Sequence, residues 1–244
     1  MSARPQLGII AALKREIQPL IRSRKFERAT AAGSNFFRSS TAVVVCCGTG
    51  CGAARHTTNV LVETFCPEVL ISIGFAGALD ARMKAPAVFV PEYVVSEQSG
   101  AEFRSAFGYG RLVTAAAVAN VDKKRELAAR FNAQAVDMEA AAVAEVAQQQ
   151  GLKFVAVKVI SDDLASDMSF VGQFITPKRF RTAAFLSYVA VRPRLWPAVN
   201  ELRTNSSRAS IALREILELI IEKPEKLDYL LASVAEPNAV ARTR

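Results

Sequence analysis

Short apolar runs that end in small residues and give way to helix-forming stretches recur along the first two thirds of this chain. That alternation restricts the fold to an α/β architecture. Leu7-Gly-Ile-Ile-Ala-Ala reads as a central strand, followed by the more polar stretch Lys14–Arg24. Thr41–Cys47 is apolar and β-branched, and Gly48-Thr-Gly-Cys-Gly52 turns it into the helical stretch Ala53–Thr64. Pro67 separates that helix from a strand at Val69–Ile73, which the turn Gly74-Phe-Ala-Gly77 is expected to close. Ala87–Val95 and Arg111–Ala119 read as further strands on either side of a polar loop, Ser96–Gly110. A charged helix over Asp122–Phe131 and an alanine-rich one over Asp137–Gln150 follow, the latter stopped by Gly151. Lys153–Ile160 is the last clear strand, ending at Ser161-Asp162-Asp163.

The 244 residues suffice for one sizeable core, and 51% apolar with 22% charged residues is ordinary for a globular chain. No apolar run approaches the roughly 18 residues needed to span a bilayer, and the N-terminus lacks the apolar segment of a signal peptide. A cytoplasmic protein is expected. Cys46, Cys47, Cys51 and Cys66 lie close together, but Cys-Cys-x3-Cys is a poor zinc pattern, so small reduced thiols and no metal are expected. Neither glycine turn completes a GxGxxG with an acid about 20 residues on, and no cofactor is expected. The net charge of +8 is concentrated in the tail. Residues 178–214 hold Lys178, Arg179, Arg181, Arg192, Arg194, Arg203, Arg208 and Arg214 against the acid Glu201, a surplus of +7 that calls for an anionic partner. From Lys178 onward the pattern is helical: Ala209, Ala212, Leu213, Ile216, Leu217 and Ile220 recur at helical spacing and Pro224 ends the run. Residues 235–244 lack periodicity and are expected to fray. The expected layout is an α/β core over 1–177 and a basic helical C-terminal extension of the same domain over 178–244.

Sites in α/β folds collect at the carboxyl ends of strands. Glu16 follows the first strand, Glu139 opens the alanine-rich helix and Asp162 closes the last strand. Singly, each has an ordinary explanation. Glu139 complements a helix dipole, Asp162 is a helix N-cap and Glu16 is a surface acid.

Together, and in this order, they become recognisable. LGIIAALKREI (7–17), CGTGCGAA (47–54), VLISIGFAGAL (69–79), AVDMEAAAVAEVA (135–147) and VKVISDD (157–163) resemble the nucleoside phosphorylase/nucleosidase superfamily, especially its methylthioadenosine/S-adenosylhomocysteine nucleosidase branch. The resemblance implies a three-layer fold, a central mixed sheet flanked by helices, with a C-terminal helical extension. It also implies cleavage of the N-glycosidic bond of a purine nucleoside. Glu139 would accept hydrogen bonds from the ribose hydroxyls, as suits a carboxylate. Met138 would pack against the sugar. Asp162 would protonate purine N7, for which burial or a hydrogen bond should keep its proton in place. Glu16 would orient the attacking water. Phe75, Ala76, Gly77 and Ser161 would line the substrate site, and Val118 and Ala119 would take the base-stacking positions.

The departures bear on the substrate. The stretch between GFAG and VDMEA is short for a methylthioadenosine nucleosidase. Val118 stands where an aromatic ring usually stacks on adenine, and Phe75 replaces a small polar residue. The arginine-bearing phosphate motif of the large purine phosphorylases is missing, which favours water as nucleophile, with Arg38, Arg55 or a neighbour left as candidates to recruit phosphate. Arg192-Pro-Arg-Leu-Trp-Pro197, the Asn-Ser-Ser-Arg-Ala-Ser stretch and the amphipathic helix resemble the hopanoid-associated branch, described as removing adenine from adenosylhopane by hydrolysis or phosphorolysis. Cations interleaved with Phe180, Phe185, Leu186, Tyr188, Leu195 and Trp196 suit a lipid surface, and peripheral contact at the inner membrane through 178–214 is one reading. The other is that these residues pack a helix onto the domain. The expected partners are a small or lipid-linked nucleoside, phosphate if the reaction is phosphorolysis, and a second copy, the branch being commonly homodimeric; nucleic acid is not expected. Two alternatives stand beside this: methylthioadenosine/S-adenosylhomocysteine or futalosine cleavage, and a non-catalytic nucleic-acid or lipid-surface binder on the same fold.

Overall fold

The computed structural model describes residues 5–174, 176 and 181–235, so Lys178, Arg179 and Phe180 and the stretch after 235 lie outside the described residues. In chain order the elements begin β1 (Leu7–Ala11), α1 (Lys14–Ser23), β2 (Glu27–Ala31), β3 (Ser34–Arg38), β4 (Ala42–Cys46) and α2 (Cys51–Phe65). The middle holds β5 (Val69–Ala78), β6 (Val88–Phe89), β7 (Tyr93–Ser96), β8 (Glu102–Arg104), β9 (Arg111–Thr114), α3 (Val121–Phe131) and β10 (Ala135–Asp137). The rest is α4 (Ala140–Gln149), β11 (Lys153–Asp162), α5 (Ser169–Gly172), α6 (Thr182–Ala190), α7 (Trp196–Glu222) and α8 (Leu227–Ala235).

The strands form one mixed sheet in the order β2-β3-β4-β1-β5-β10-β9-β7-β8, with β11 lying along β5 and pairing β6 beyond it. Period-2 alternation sends successive side chains to opposite faces, so each central strand feeds two cores. Ile10, Val43, Val45, Leu70 and Ala156 pack with α2 and α4 on one face. Ile9, Val44, Ile71, Ile73, Val155 and Val157 pack on the other, against α1, α7 and α8. The helical spacing in the tail is what builds the second face: Ala209, Leu213, Leu217 and Ile220 of α7 are all fully buried. Each leucine or isoleucine removed from water there contributes roughly 1.5–3 kcal/mol.

Several boundaries differ from the expected ones. The hairpin β2–β3 has no continuous apolar run to mark it in the sequence: β2 is mostly polar and exposed, and in β3 Phe36 alone is fully buried. Ala32 (φ 45°) and Gly33 (φ 75°) turn it. The Ala87–Val95 run divides into β6 and β7 around Pro91, and the loop after it contains the short β8. Asp137 ends a strand instead of beginning a helix. The most consequential difference is in β5, which runs straight through Gly74-Phe-Ala-Gly77 for ten residues. One edge of β5 pairs with β11 throughout. The other edge pairs in parallel with β1 as far as Ile73, and in antiparallel with β10 from Gly77. Between those two partners the sheet forks, and the peptide groups of residues 74–76 face an opening.

Candidate active site

The fork brings the functional side chains together. Glu16 lies in the first turn of α1, and its carboxylate closes back on the chain: Oε2 accepts from the Leu13 N–H at 2.8 Å. Oε1 accepts from the Phe75 N–H at 3.1 Å, a peptide group left free where β1 departs from β5. A Cβ at Gly74 would sit 2.9 Å from Glu16 Oε1, so glycine leaves room for the carboxylate. Glu16 is only 2% exposed, and its burial raises its pKa above the ordinary carboxylate value; the two N–H donors and the nearby Lys158 charge oppose that rise.

Glu139 occupies the position just before α4 but does not cap it. The cap is Asp137, whose Oδ2 accepts from the Ala140 N–H at 2.9 Å. Glu139 is thereby released to face the cleft, and Oε1 accepts from the Gly50 N–H at 2.7 Å. The glycine turn after β4 thus serves a carboxylate. Burial, and then the negative charge of Asp137, pushes Glu139 up to about 8, against the pull of the Gly50 N–H and of Lys158. Lys158 sits in the middle of β11, 1% exposed, with Nζ 2.9 Å from Asp137 Oδ2 and donating to Ser72 Oγ at 3.0 Å. Burial works to lower its pKa, but Asp137, Glu139 and Glu16 outweigh it and hold the ammonium above its ordinary value.

Asp162 ends β11 at a register shift, with no helix to cap. Ser161 Oγ donates to its Oδ1 at 2.9 Å, and Lys124 Nζ donates to its Oδ2 at 2.5 Å. Both oxygens of Asp162 are thus hydrogen-bonded, one to a hydroxyl and the other to an ammonium that the sequence did not single out.

A cavity of about 160 Å³ opens at the fork. Glu16, Phe75, Ala76, Gly77, Val118, Ala119, Met138, Glu139, Ser161 and Asp162 all line it. Sequence reasoning had singled out each of those ten. It missed Lys124 and Asp137, which also line the cavity, and Lys158, which holds Asp137. Lys158 carried a readable signal, a charge inside the apolar run Lys153–Ile160; Lys124 had none to separate it from Lys123. Leu202 of α7 and Val171 of α5 complete the wall, so the tail contributes to the cleft. Arg38 and Arg55 do not line it; Arg55 is bonded to Glu145. Among the described residues no cluster of three or more His, Cys, Asp or Glu has the arrangement of a metal site.

The cleft can thus present two buried acids to one part of a ligand and an ion-paired carboxylate to another, an arrangement suited to holding hydroxyl groups and to proton transfer. Comparison with known proteins bears on this pattern. A 5′-methylthioadenosine/S-adenosylhomocysteine nucleosidase of Lysinibacillus sphaericus is 27% identical over 198 residues, 64% of this chain and 86% of its own length. The fold is similar to that of the Helicobacter pylori 5′-methylthioadenosine/S-adenosylhomocysteine nucleosidase, with TM-score 0.70 and 18% identity over 91% of this chain and 99% of that one. It is also similar to the futalosine hydrolase of Helicobacter pylori, with TM-score 0.60 and 21% identity over 65% of this chain and 88% of that one. The family model of the phosphorylase superfamily matches residues 6–119 and 109–189, which contain β1 through α5 and every residue of the fork. The chain belongs to the phosphorylase superfamily.

Proposed function

We propose that this protein hydrolyses the N-glycosidic bond of an adenosyl compound and releases adenine. The observation that carries the reading is the convergence of Glu16, Glu139 and Asp162 on one cleft at the forked end of the sheet. Glu139 holds the ribose hydroxyls, with Met138 against the sugar. Glu16, fixed by two backbone N–H groups, orients the water. Asp162 protonates N7, and Val118 and Ala119 flank the base. Water is favoured over phosphate because Glu16, Asp137 and Glu139 gather at the sugar end. There the Lys158 ammonium is already committed to Asp137, and Arg15, which also lines the cleft, lies over the Phe75 ring. The names of the relatives, methylthioadenosine/S-adenosylhomocysteine nucleosidase and futalosine hydrolase, support cleavage of this kind of bond.

The substrate we favour carries an apolar group on the ribose 5′ carbon, as adenosylhopane does. Supporting this, Leu13, Phe75, Val118, Met168, Val171 and Leu202 make the cleft walls largely apolar. Nearby, Phe174, Phe185 and Val189 form a small core of their own. Around it Leu186, Val191 and Trp196 are 58%, 73% and 54% exposed, amid the exposed Arg181, Arg192, Arg194, Arg203 and Arg208. That surface suits peripheral contact with an anionic lipid layer, and no helix among the described residues is long and apolar enough to cross a membrane. The proposed assembly is the homodimer, and the proposed layout keeps residues 178–244 in one domain with the core.

The test is release of adenine from adenosylhopane, methylthioadenosine, S-adenosylhomocysteine and adenosine, with and without phosphate, together with release of hypoxanthine from futalosine. Adenine from adenosylhopane without phosphate is the expected result, lost in D162N. That variant should still fold cooperatively by circular dichroism though with a lowered melting temperature, because it leaves the Lys124 ammonium without its carboxylate. Release confined to the small nucleosides would refute the apolar substrate, and no base from any of them would sink the reading.

A further inference from the structure

Adjacent lysines on α3 meet opposite surroundings. Lys123 faces outward, paired with Glu97 at 2.7 Å and Glu126 at 2.9 Å. Lys124 is 1% exposed, and its three N–H groups find three acceptors: Asp162 Oδ2 at 2.5 Å, the Asp163 carbonyl at 2.7 Å and the Ser166 carbonyl at 3.1 Å. A buried ammonium is costly and persists when paired. Holding the loop 163–166 needs only a neutral donor. What an ammonium adds is a mobile proton beside the carboxylate that faces the cleft.

We infer that Lys124 and Asp162 work as one acid, Lys124 being the positioning and proton-supplying member through which Asp162 is kept able to protonate the leaving base. The inference rests on the site reading above. As the glycosidic bond breaks, its electron pair leaves with the base. From the resting ion pair of ammonium and carboxylate, the Nζ–H bond of Lys124 breaks as Oδ2–H forms on Asp162, and that same Oδ2–H bond breaks as N7–H forms. The pair ends one proton short, as amine and carboxylate, and regains that proton from water after the base departs. Other charged groups nearby are engaged. Asp163 pairs with Lys84 at 2.9 Å, Asp167 accepts from the Ser169 N–H at 2.9 Å and Asp137 on β10 holds Lys158. β5 presents Gly77 here, where a Cβ would meet Asp162 Oδ2 at 2.9 Å and Lys124 Cε at 3.4 Å. Glycine at that point lets the pair close against the strand.

The experiment measures kcat and KM from pH 5 to 10 for wild type, K124M and the closer-shaped K124Q, on whichever compound wild type cleaves. In the variants kcat should fall about 100-fold, the scale of general-acid catalysis, with KM within about threefold. A riboside whose leaving group departs without protonation, such as p-nitrophenyl riboside, should be cleaved by the variants within about threefold of wild type, because only the proton-delivering step depends on the pair. A role confined to pinning the loop would lower activity on both kinds of leaving group alike. That result, a loss expressed mainly in KM, or near-wild-type kcat in either folded variant overturns the inference while leaving the site reading intact. If wild type cleaves nothing, both fall.

Discussion

Glu139 combines two properties that pull on each other. Its position before α4 frees it from capping duty, and its burial beside Asp137 pushes it up to about 8. At pH 7 in the empty cleft the proton is therefore mostly on, and the ionised form, which on the proposed role accepts from both ribose hydroxyls, grows as pH rises. We expect kcat/KM of the wild type to climb between pH 7 and about 8, and a low, flat profile for E139Q. The same shift acts on stability. The folded carboxyl binds its proton more tightly than an unfolded one at 4.5, so its stabilising contribution is complete at low pH and is lost as pH rises toward about 8. Thermal melts from pH 5 to 9 should fall more steeply for wild type than for E139Q. Parallel curves would mean that Glu139 does not titrate in this window.

β5 is the element on which the site depends. It needs a partner on each edge for stability and an unpaired stretch for function, and the change from β1 to β10 supplies both. Gly74 marks the transition, with φ 144° and the Glu16 carboxylate where a side chain would be. Replacing it by alanine should cost about 1–3 kcal/mol from backbone strain alone and displace Glu16 as well. Urea unfolding and kcat read the two effects. A G74A protein with wild-type stability and turnover would show that the strand can yield without disturbing the carboxylate. The apolar runs of β1, β4 and β11 were legible because a buried strand leaves a short β-branched signature in sequence. The fork was not, since a strand that changes partner midway has the same sequence pattern as one that ends in a glycine turn.

For the whole molecule, the second face of the sheet is completed only by the last quarter of the chain. Ala209, Leu213, Leu217 and Ile220 pack on β1, β5 and β11, and Ser210 Oγ donates to the Arg15 carbonyl at 3.2 Å, tying α7 to the helix that carries Glu16. L217A should lose about 2–5 kcal/mol through the cavity it leaves, measured by urea unfolding. A loss below about 0.5 kcal/mol, the range of surface substitutions, would mean that α7 is a peripheral strap. Its solvent side keeps the cations, so one helix both seals the core and shapes the charged surface.

Periodicity in the sequence was enough for the α/β class, the main helices and the apolar stripe of α7, because burial imposes a local repeat on each element that faces a core. Motif resemblance added the three acids and the cleft residues. Folding settled what depends on distant partners: that Asp137 caps α4 so that Glu139 need not, that Glu16 is fixed by a peptide group 59 residues away, and that of two neighbouring lysines Lys124 turns inward to Asp162. Those outcomes follow from which buried polar groups meet as the sheet forks, a competition among hydrogen bonds that no local stretch of sequence records.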